Sequence, residues 1–232
     1  MKTFIALVSL LVLSVSVAHA QETSRMGGVL KVASIGEPQT LDLQATTTVL
    51  TYEIVWHVHE SLFTYDRAWN PIPLLADTHA VTDRGLRHTI TIRKGVRFHN
   101  GKEMTAADVV ASLKRWGQVA SIGKVLWPGV ESIEAKDPYT IVIFLKQPSG
   151  SLIYGLAEPS AVIYPKEIVD AADTGQVKEY IGTGPATSNS SGSRTMRRAP
   201  RGADQVAAAA RVADREAARL VAGLPEPTRP GS

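Results

Sequence analysis

The 232-residue sequence contains no cysteine. That excludes a disulfide framework, a thiolate metal site, a cysteine nucleophile and a lipid anchor on an N-terminal Cys. Aromatic residues make up only 6% of the chain. No G-x-S-x-G elbow, H-E-x-x-H pair, Walker loop or G-x-G-x-x-G turn occurs, so the usual nucleophile, zinc and nucleotide motifs are missing. An excess of positive over negative charge is confined to one region. Residues 186–232 hold eight Arg, four acidic residues and no Lys, leaving 17 basic against 18 acidic groups in residues 1–185. The net charge of +3 therefore belongs to the tail, and the near-neutral body carries no nucleic-acid footprint. The longest apolar run, Phe4 to Val17, has 14 residues, whereas a membrane-spanning helix needs about 20.

That run has the form of an export signal. It follows Met1-Lys2-Thr3 and precedes Ala18-His19-Ala20, a small-x-small cleavage pattern. The expectation is cleavage after Ala20, Gln21 as the mature N-terminus, and release into the periplasm. Beyond it, Val29–Ser34 reads as a strand, and Thr48–Leu62 has the apolar spacing of an amphipathic helix. Ala80–Thr82 and Leu86–Ile92 flank Asp83-Arg84-Gly85 and predict a hairpin. A second hairpin is predicted from Val130–Lys136 and Thr140–Lys146 across Asp137-Pro138. Thr105–Trp116 is the clearest helix, with Thr105 and Asp108 in capping-box spacing and Val109, Leu113 and Trp116 on one face. Short helices are expected at Ser151–Leu156 and Lys166–Ala172, around an apolar strand, Ala161–Tyr164. Interleaved strands and helices give an α/β class with a mixed sheet.

Candidate chemistry is sparse. His57 and His59 would chelate if both lay on one face of a strand. In the helix expected here they point about 200° apart, so no metal site and no cofactor is assigned. His99, beside Asn100-Gly101, fits a turn better than a proton shuttle. Asp108, on the first turn of a helix, fits a cap better than a catalytic acid. Nothing argues for an enzyme; an exported hydrolase is the competing class, and it lacks a nucleophile or metal motif.

Residues 186–232 contain no aromatic residue and no Ile, and Ala, Arg, Gly and Pro supply 27 of the 47. Such composition cannot bury enough apolar surface to offset chain entropy. The segment reads as a low-complexity tail, disordered or a lone helix around Ala203–Ala222. Its GC-rich-codon residues fit an out-of-frame product; a genuine Arg-rich arm is the competing reading.

Several segments resemble one family in order. They are Gly27-Gly28-Val29-Leu30, Pro38-Gln39-Thr40-Leu41-Asp42, Glu60-Ser61-Leu62-Phe63-Thr64-Tyr65-Asp66 and Pro73-Leu74-Leu75-Ala76. The most specific stretch runs Thr89–Gly101 and continues through Met104–Val110; Val162–Lys166 and Gly182-Thr183-Gly184-Pro185 follow. Together they are similar to the family 5 extracellular solute-binding proteins of peptide- and nickel-type ABC transporters. The resemblance implies a periplasmic-binding-protein-like (type II) fold, with residues 21–185 forming a first lobe and its inserted subdomain. It implies that a second lobe is missing and that the family pattern stops at Pro185. The expected function is the substrate-binding component of an importer for peptides or similar small solutes, probed against the alternative of a non-functional fragment. Its partners would be the solute and an inner-membrane permease, and the protein would be a monomer. By position, Thr46, Thr47, Thr48 and Val49 match the segment that runs along the ligand cleft; N-capping of the following helix is their other role. Arg93, Lys94, Gly95, Phe98, Gly101, Thr105, Ala106, Asp108 and Val109 carry the family signature and imply fold identity rather than ligand contact. The acidic residue that grips the ligand amino group in peptide binders falls outside the matched segments.

Overall fold

The computed structural model describes residues 36–187 and the backbone of Arg197–Arg198. The expected signal peptide, the strand at Val29–Ser34 and most of the 186–232 tail lie outside the described residues. Within that tail, Ala186–Thr187 (β7) pairs antiparallel with Arg197–Arg198 (β8).

Two hairpins build the main sheet. Ala76–Thr82 (β3) turns through Asp83–Gly85 into Arg87–Ile92 (β4), and Val130–Asp137 (β5) turns into Thr140–Leu145 (β6). Both match the sequence expectation. They then pair with each other through β4 and β6, giving the order β3-β4-β6-β5. The α/β class holds, but every pairing among the described strands is antiparallel rather than mixed, because each of these connections is a hairpin or leads to an adjacent antiparallel edge. Along β4, His88, Ile90 and Ile92 point inward while Arg87, Thr89 and Thr91 are half-exposed, the period of two that one buried face requires.

Helix α2 (Ala106–Val119) covers that face. Val109, Leu113 and Trp116 are buried in one cluster with Ile90, Ile133, Ile141 and Ile143, and the Trp116 indole N–H donates to Ser160 Oγ at 2.9 Å. The helix starts in the expected capping box between Thr105 and Asp108. Short helices α3 (Ser121–Leu126), α4 (Ser151–Ala157) and α5 (Lys166–Ala172) complete the shell. The apolar segment 161–164, expected as a strand, makes a single bridge among the described residues, Ser61 to Val162.

Helix α1 is shorter than its periodicity predicts. It spans Val49–Val55 and stops, whereas the spacing suggested 48–62. Distant backbone takes the groups a longer helix would use. Gly184 N–H donates to Val58 O, Ala186 N–H to His57 O, and Ile163 N–H to Glu60 O, each at 2.8–3.0 Å. Val58 and Leu62 are still buried, but Val58 from a turn that follows the helix and Leu62 from a bend. The small hairpin of β1 (Phe63–Tyr65) and β2 (Pro71–Pro73) follows.

A buried ion pair fixes the segment leading into α1. Asp42 is fully buried, and Arg115 of α2, 2% exposed, meets it bidentately at 2.6 and 3.2 Å. The remaining guanidinium N–H groups donate to Gln44 Oε1, Asp173 O and Gly175 O. Asp42 also accepts from Gln44 N–H, Tyr164 Oη and Val177 N–H. Every donor of Arg115 is used, which a buried guanidinium needs to offset its desolvation. The Leu41-Asp42 motif thus anchors residues 43–48 to the core.

Candidate ligand face

The chain emerges from this anchor at Thr46. Thr46 Oγ accepts the Thr48 N–H at 3.2 Å and bonds the Thr48 hydroxyl at 3.0 Å. Thr48 occupies the N-cap position of α1 but makes no side-chain cap bond. The capping alternative for these threonines is therefore not what the structure shows; the hydroxyls close a turn of their own. Thr47, Thr48 and Val49 face outward, Val49 with 65% of its surface exposed.

From Val49 one helix face continues through Tyr52 and Glu53 to Trp56, the i, i+3, i+4, i+7 set that shares a side of a helix. Trp56 is 55% exposed and stacks on Tyr52 at 6.2 Å. Beyond Trp56 opens a cavity of about 620 Å³ whose walls include Trp56, Tyr65, Trp69, Leu74 and Pro159. Two of the four tryptophans of the chain thus stand on one solvent-facing surface. Aromatic walls beside polar side chains, here His57, Glu60, Thr64, Asp66 and Arg67 among others, are a common composition of small-ligand sites.

Trp69 is held there against its backbone preference. Its φ is +63° and it is 74% exposed. A bulky residue in the left-handed region costs about 1–2 kcal/mol, so it persists only where the surroundings dictate it. Asp66 does so: its Oδ1 accepts the Ala68 and Asn70 N–H groups at 2.8 Å, and Trp69 N–H donates to Asp66 O. Hydrogen bonds from Asn70, first from its backbone, hold the Asp66 carboxyl below its usual range. Tyr65 packs 5.6 Å from Trp69 and donates its hydroxyl to Tyr154 O. Glu158 accepts from Tyr52 at 3.5 Å, and burial followed by this carboxylate pushes the Tyr52 hydroxyl up to about 12.

The signature residues lie elsewhere and build the frame. Arg93 donates to Ala76 O, Lys94 sits over the Tyr139 ring at 5.4 Å, and Gly95 N–H donates to Glu103. Gly95 and Gly101 have φ of +73° and +86° with open space around them, so the conformation rather than crowding demands glycine. Phe98, Ala106 and Val109 are buried in the core. Asp108 accepts from Thr105, Lys102 Nζ and the Lys166 N–H, joining the start of α2 to the start of α5. Burial alone would raise its pKa, but these bonds, led by Lys102, bring it below the usual value.

His99 ties the frame to the segment that leads to Pro185. Its backbone N–H donates to Gly182 O, its Nδ1 accepts the Gly182 N–H at 3.3 Å, and its Nε2 lies 2.8 Å from Gly184 O. That set requires a neutral ring protonated on Nε2, and burial lowers its pKa accordingly. A Cβ on Gly182 would collide with Val58 O, and one on Gly184 would lie 2.7 Å from His57 O; the two glycines let this segment rest directly on residues 57–59. His57 and His59 do not share a face. Both stand beyond the end of α1, His57 exposed and His59 buried, so the reason for their divergence is a turn and not the helix period. Among the described residues no three His, Cys, Asp or Glu side chains group as metal ligands would.

The signature, the threonine segment, the Glu60–Asp66 family motif and the His57/His59 pair stand out in the sequence, but Trp56, Trp69 and Tyr154 do not. The only sequence signal for Trp69 was the Asp66-to-Asn70 turn that presents it.

Residues 70–187 match the bacterial extracellular solute-binding proteins, family 5, middle region. The chain belongs to that family. It is 34% identical over 166 residues to a probable peptide ABC transporter periplasmic-binding protein, y4tO, of Sinorhizobium fredii, covering 72% of this chain and 30% of the relative. It is 31% identical over 148 residues to the glutathione-binding protein GsiB of Salmonella choleraesuis, covering 63% and 29%. Its fold matches the oligopeptide-binding protein AppA from Bacillus subtilis, solved with a nonapeptide, with a TM-score of 0.61 and 28% identity over 73% of this chain and 36% of AppA. The chain spans about 30% of the length of the curated relatives it matches.

Proposed function

We propose that residues 21–185 are the first lobe of a periplasmic receptor for peptides or similar small solutes, exported by cleavage after Ala20. The receptor hands its solute to an ABC permease in the inner membrane and performs no chemical step. The observation that carries this reading is the continuous face from Thr46–Val49 along α1 to Trp56 and Trp69, which ends in the aromatic cavity. Thr46, Thr47, Thr48 and Val49 offer hydroxyl and backbone groups to an extended ligand, while the aromatic walls take its apolar side chains. The names of the relatives, a peptide-binding and a glutathione-binding protein, support that solute class.

The test is a tryptophan-fluorescence titration of the chain with Ala-Ala-Ala and with reduced glutathione. A saturable change that disappears in Trp69→Ala supports the assignment. A flat titration with both solutes contradicts it and leaves a non-binding fragment as the reading.

A further inference from the structure

Trp69 carries a ring that the fold does not use. It is 74% exposed and belongs to neither buried cluster. Its ring contact among the described residues is with Tyr65, 5.6 Å between centroids. Its backbone sits at φ +63°, where glycine is unstrained and a bulky L-residue is not. Asp66 builds that conformation: Oδ1 accepts the Ala68 and Asn70 N–H groups, and Oδ2 accepts Asn70 Nδ2–H at 3.1 Å. None of those bonds involves the indole, and a glycine at this position would close the same turn. Strain kept at an exposed position on a cavity wall points to a contact outside the chain.

The neighbouring rings define that contact. Trp56, Tyr65 and Trp69 all line the cavity of about 620 Å³, within the size range of small-ligand pockets. Two of them are braced from elsewhere. Trp56 stacks on Tyr52 with planes 23° apart, and Tyr65 packs 6.4 Å from Tyr154 while its hydroxyl donates to Tyr154 O. The planes of Tyr65 and Trp69 are tilted by 54°, so the pair is angled rather than a closed sandwich, and Trp56 and Trp69 keep more than half of their surface free. Leu74 and Pro159 extend the wall with apolar surface. An aliphatic side chain entering here gains burial alone. An aromatic side chain gains burial together with offset or edge-to-face ring contacts, which these exposed indoles are placed to make.

We propose that Trp56, Tyr65 and Trp69 form a subsite for an aromatic side chain of the solute, with Trp69 as its specificity-determining residue and Asp66 as the residue that positions it. This rests on the receptor reading above and narrows the solute class to peptides that carry Phe, Tyr or Trp.

The probes are Ala-Phe-Ala, Ala-Leu-Ala and Ala-Ala-Ala, each titrated into the full chain by calorimetry. Ala-Phe-Ala should bind about tenfold or more tighter than Ala-Ala-Ala, from burial of the larger side chain. It should bind at least about twofold tighter than Ala-Leu-Ala, from the ring contacts. The Phe-over-Leu preference should be lost in Trp69→Gly, with no drop in the urea midpoint, and persist in Trp69→Phe, which keeps a ring on the same turn. It should fall in Asp66→Ala and return in Asp66→Asn, whose side-chain oxygen still accepts the two N–H groups. Equal binding of the Phe and Leu peptides overturns the subsite and leaves the receptor reading standing. A preference unchanged in Trp69→Gly does the same, and a lowered midpoint in that variant shows that the ring serves the fold after all. A preference unchanged in Asp66→Ala overturns the positioning role. If none of the three peptides binds, the subsite and the receptor reading both fall. The comparison of peptides uses the unsubstituted chain, so it decides even where a variant does not fold.

Discussion

Replacing Asp42 by Asn is expected to be among the most destabilising single-atom-scale changes in this protein. The substitution keeps the side-chain volume but removes the charge that faces Arg115 at 2.6 and 3.2 Å. Arg115 is 2% exposed and its other donors are already committed, so no rearrangement brings water to it. Breaking one side of a buried pair costs about 3–5 kcal/mol. The new amide also directs N–H groups at Val177 N–H or Tyr164, which now donate to the carboxylate. At about 4 kcal/mol, and with roughly 2–4 °C per kcal/mol for a chain of this size, the melting temperature should fall by about 8–16 °C. Removing both charges together, Asp42→Asn with Arg115→Met, should cost less than the sum of the single changes, because no uncompensated charge stays buried. Urea unfolding followed by circular dichroism gives all three values. A loss under about 1 kcal/mol for Asp42→Asn, or strict additivity in the double variant, would refute the reasoning.

Three further outcomes follow from the geometry. Gly101→Ala should destabilise by about 1–2 kcal/mol through backbone strain alone, since φ is +86° and no atom crowds the new methyl; an unchanged midpoint in urea would show the turn can relax. Gly182→Ala should be worse and should detach the segment 182–186 from residues 57–59, because its methyl meets the Val58 carbonyl and the His59 ring; increased hydrogen exchange at Gly184 and Ala186 is the readout, and unaltered protection would contradict it. Stability should fall as pH drops from 7.5 to 5. His59 has a folded pKa near 3, well under its unfolded value of about 6.5, so only the unfolded chain takes up a proton in that window. The loss at pH 5 is about 2 kcal/mol from this residue, and His79, His88 and His99, all lowered chiefly by burial, act in the same direction. Equal unfolding free energies at the two pH values would mean His59 is solvated or paired.

The parts legible in the sequence are those governed by near neighbours. Both hairpins follow from alternation around Asp83–Gly85 and Asp137-Pro138, and α2 follows from a capping box and an apolar face that lie within 14 residues. The end of α1 was not legible, because Val58 and Leu62 satisfy helical spacing while the bonds that stop the helix come from Ile163, Gly184 and Ala186. Pairing of the hairpins through β4 and β6 is a long-range choice of the same kind. The Asp42–Arg115 pair spans 73 residues, beyond any local pattern. As for the ligand face, hydrophobic periodicity marks what is buried, and Trp56 and Trp69 matter because they are not. The family motifs located the frame, with Arg93–Gly101 and Thr105–Val109 fixing turns and caps, while the surface they hold in place is read from exposure and backbone strain.

The central claim, that the Thr46–Trp69 face receives the solute, has a direct test in the four tryptophans of the chain. Trp116 is buried in the core and Trp127 packs against it, while Trp56 and Trp69 stand on the proposed face. Two-dimensional ¹⁵N–¹H spectra of the chain, titrated with Ala-Ala-Ala and with reduced glutathione, resolve the indole N–H groups once single Trp→Phe variants assign them. The account predicts saturable shifts of the Trp56 and Trp69 indoles and of the Thr47–Val49 amides, with Trp116 and Trp127 unmoved. Shifts confined to other residues, or none for either probe, would contradict it.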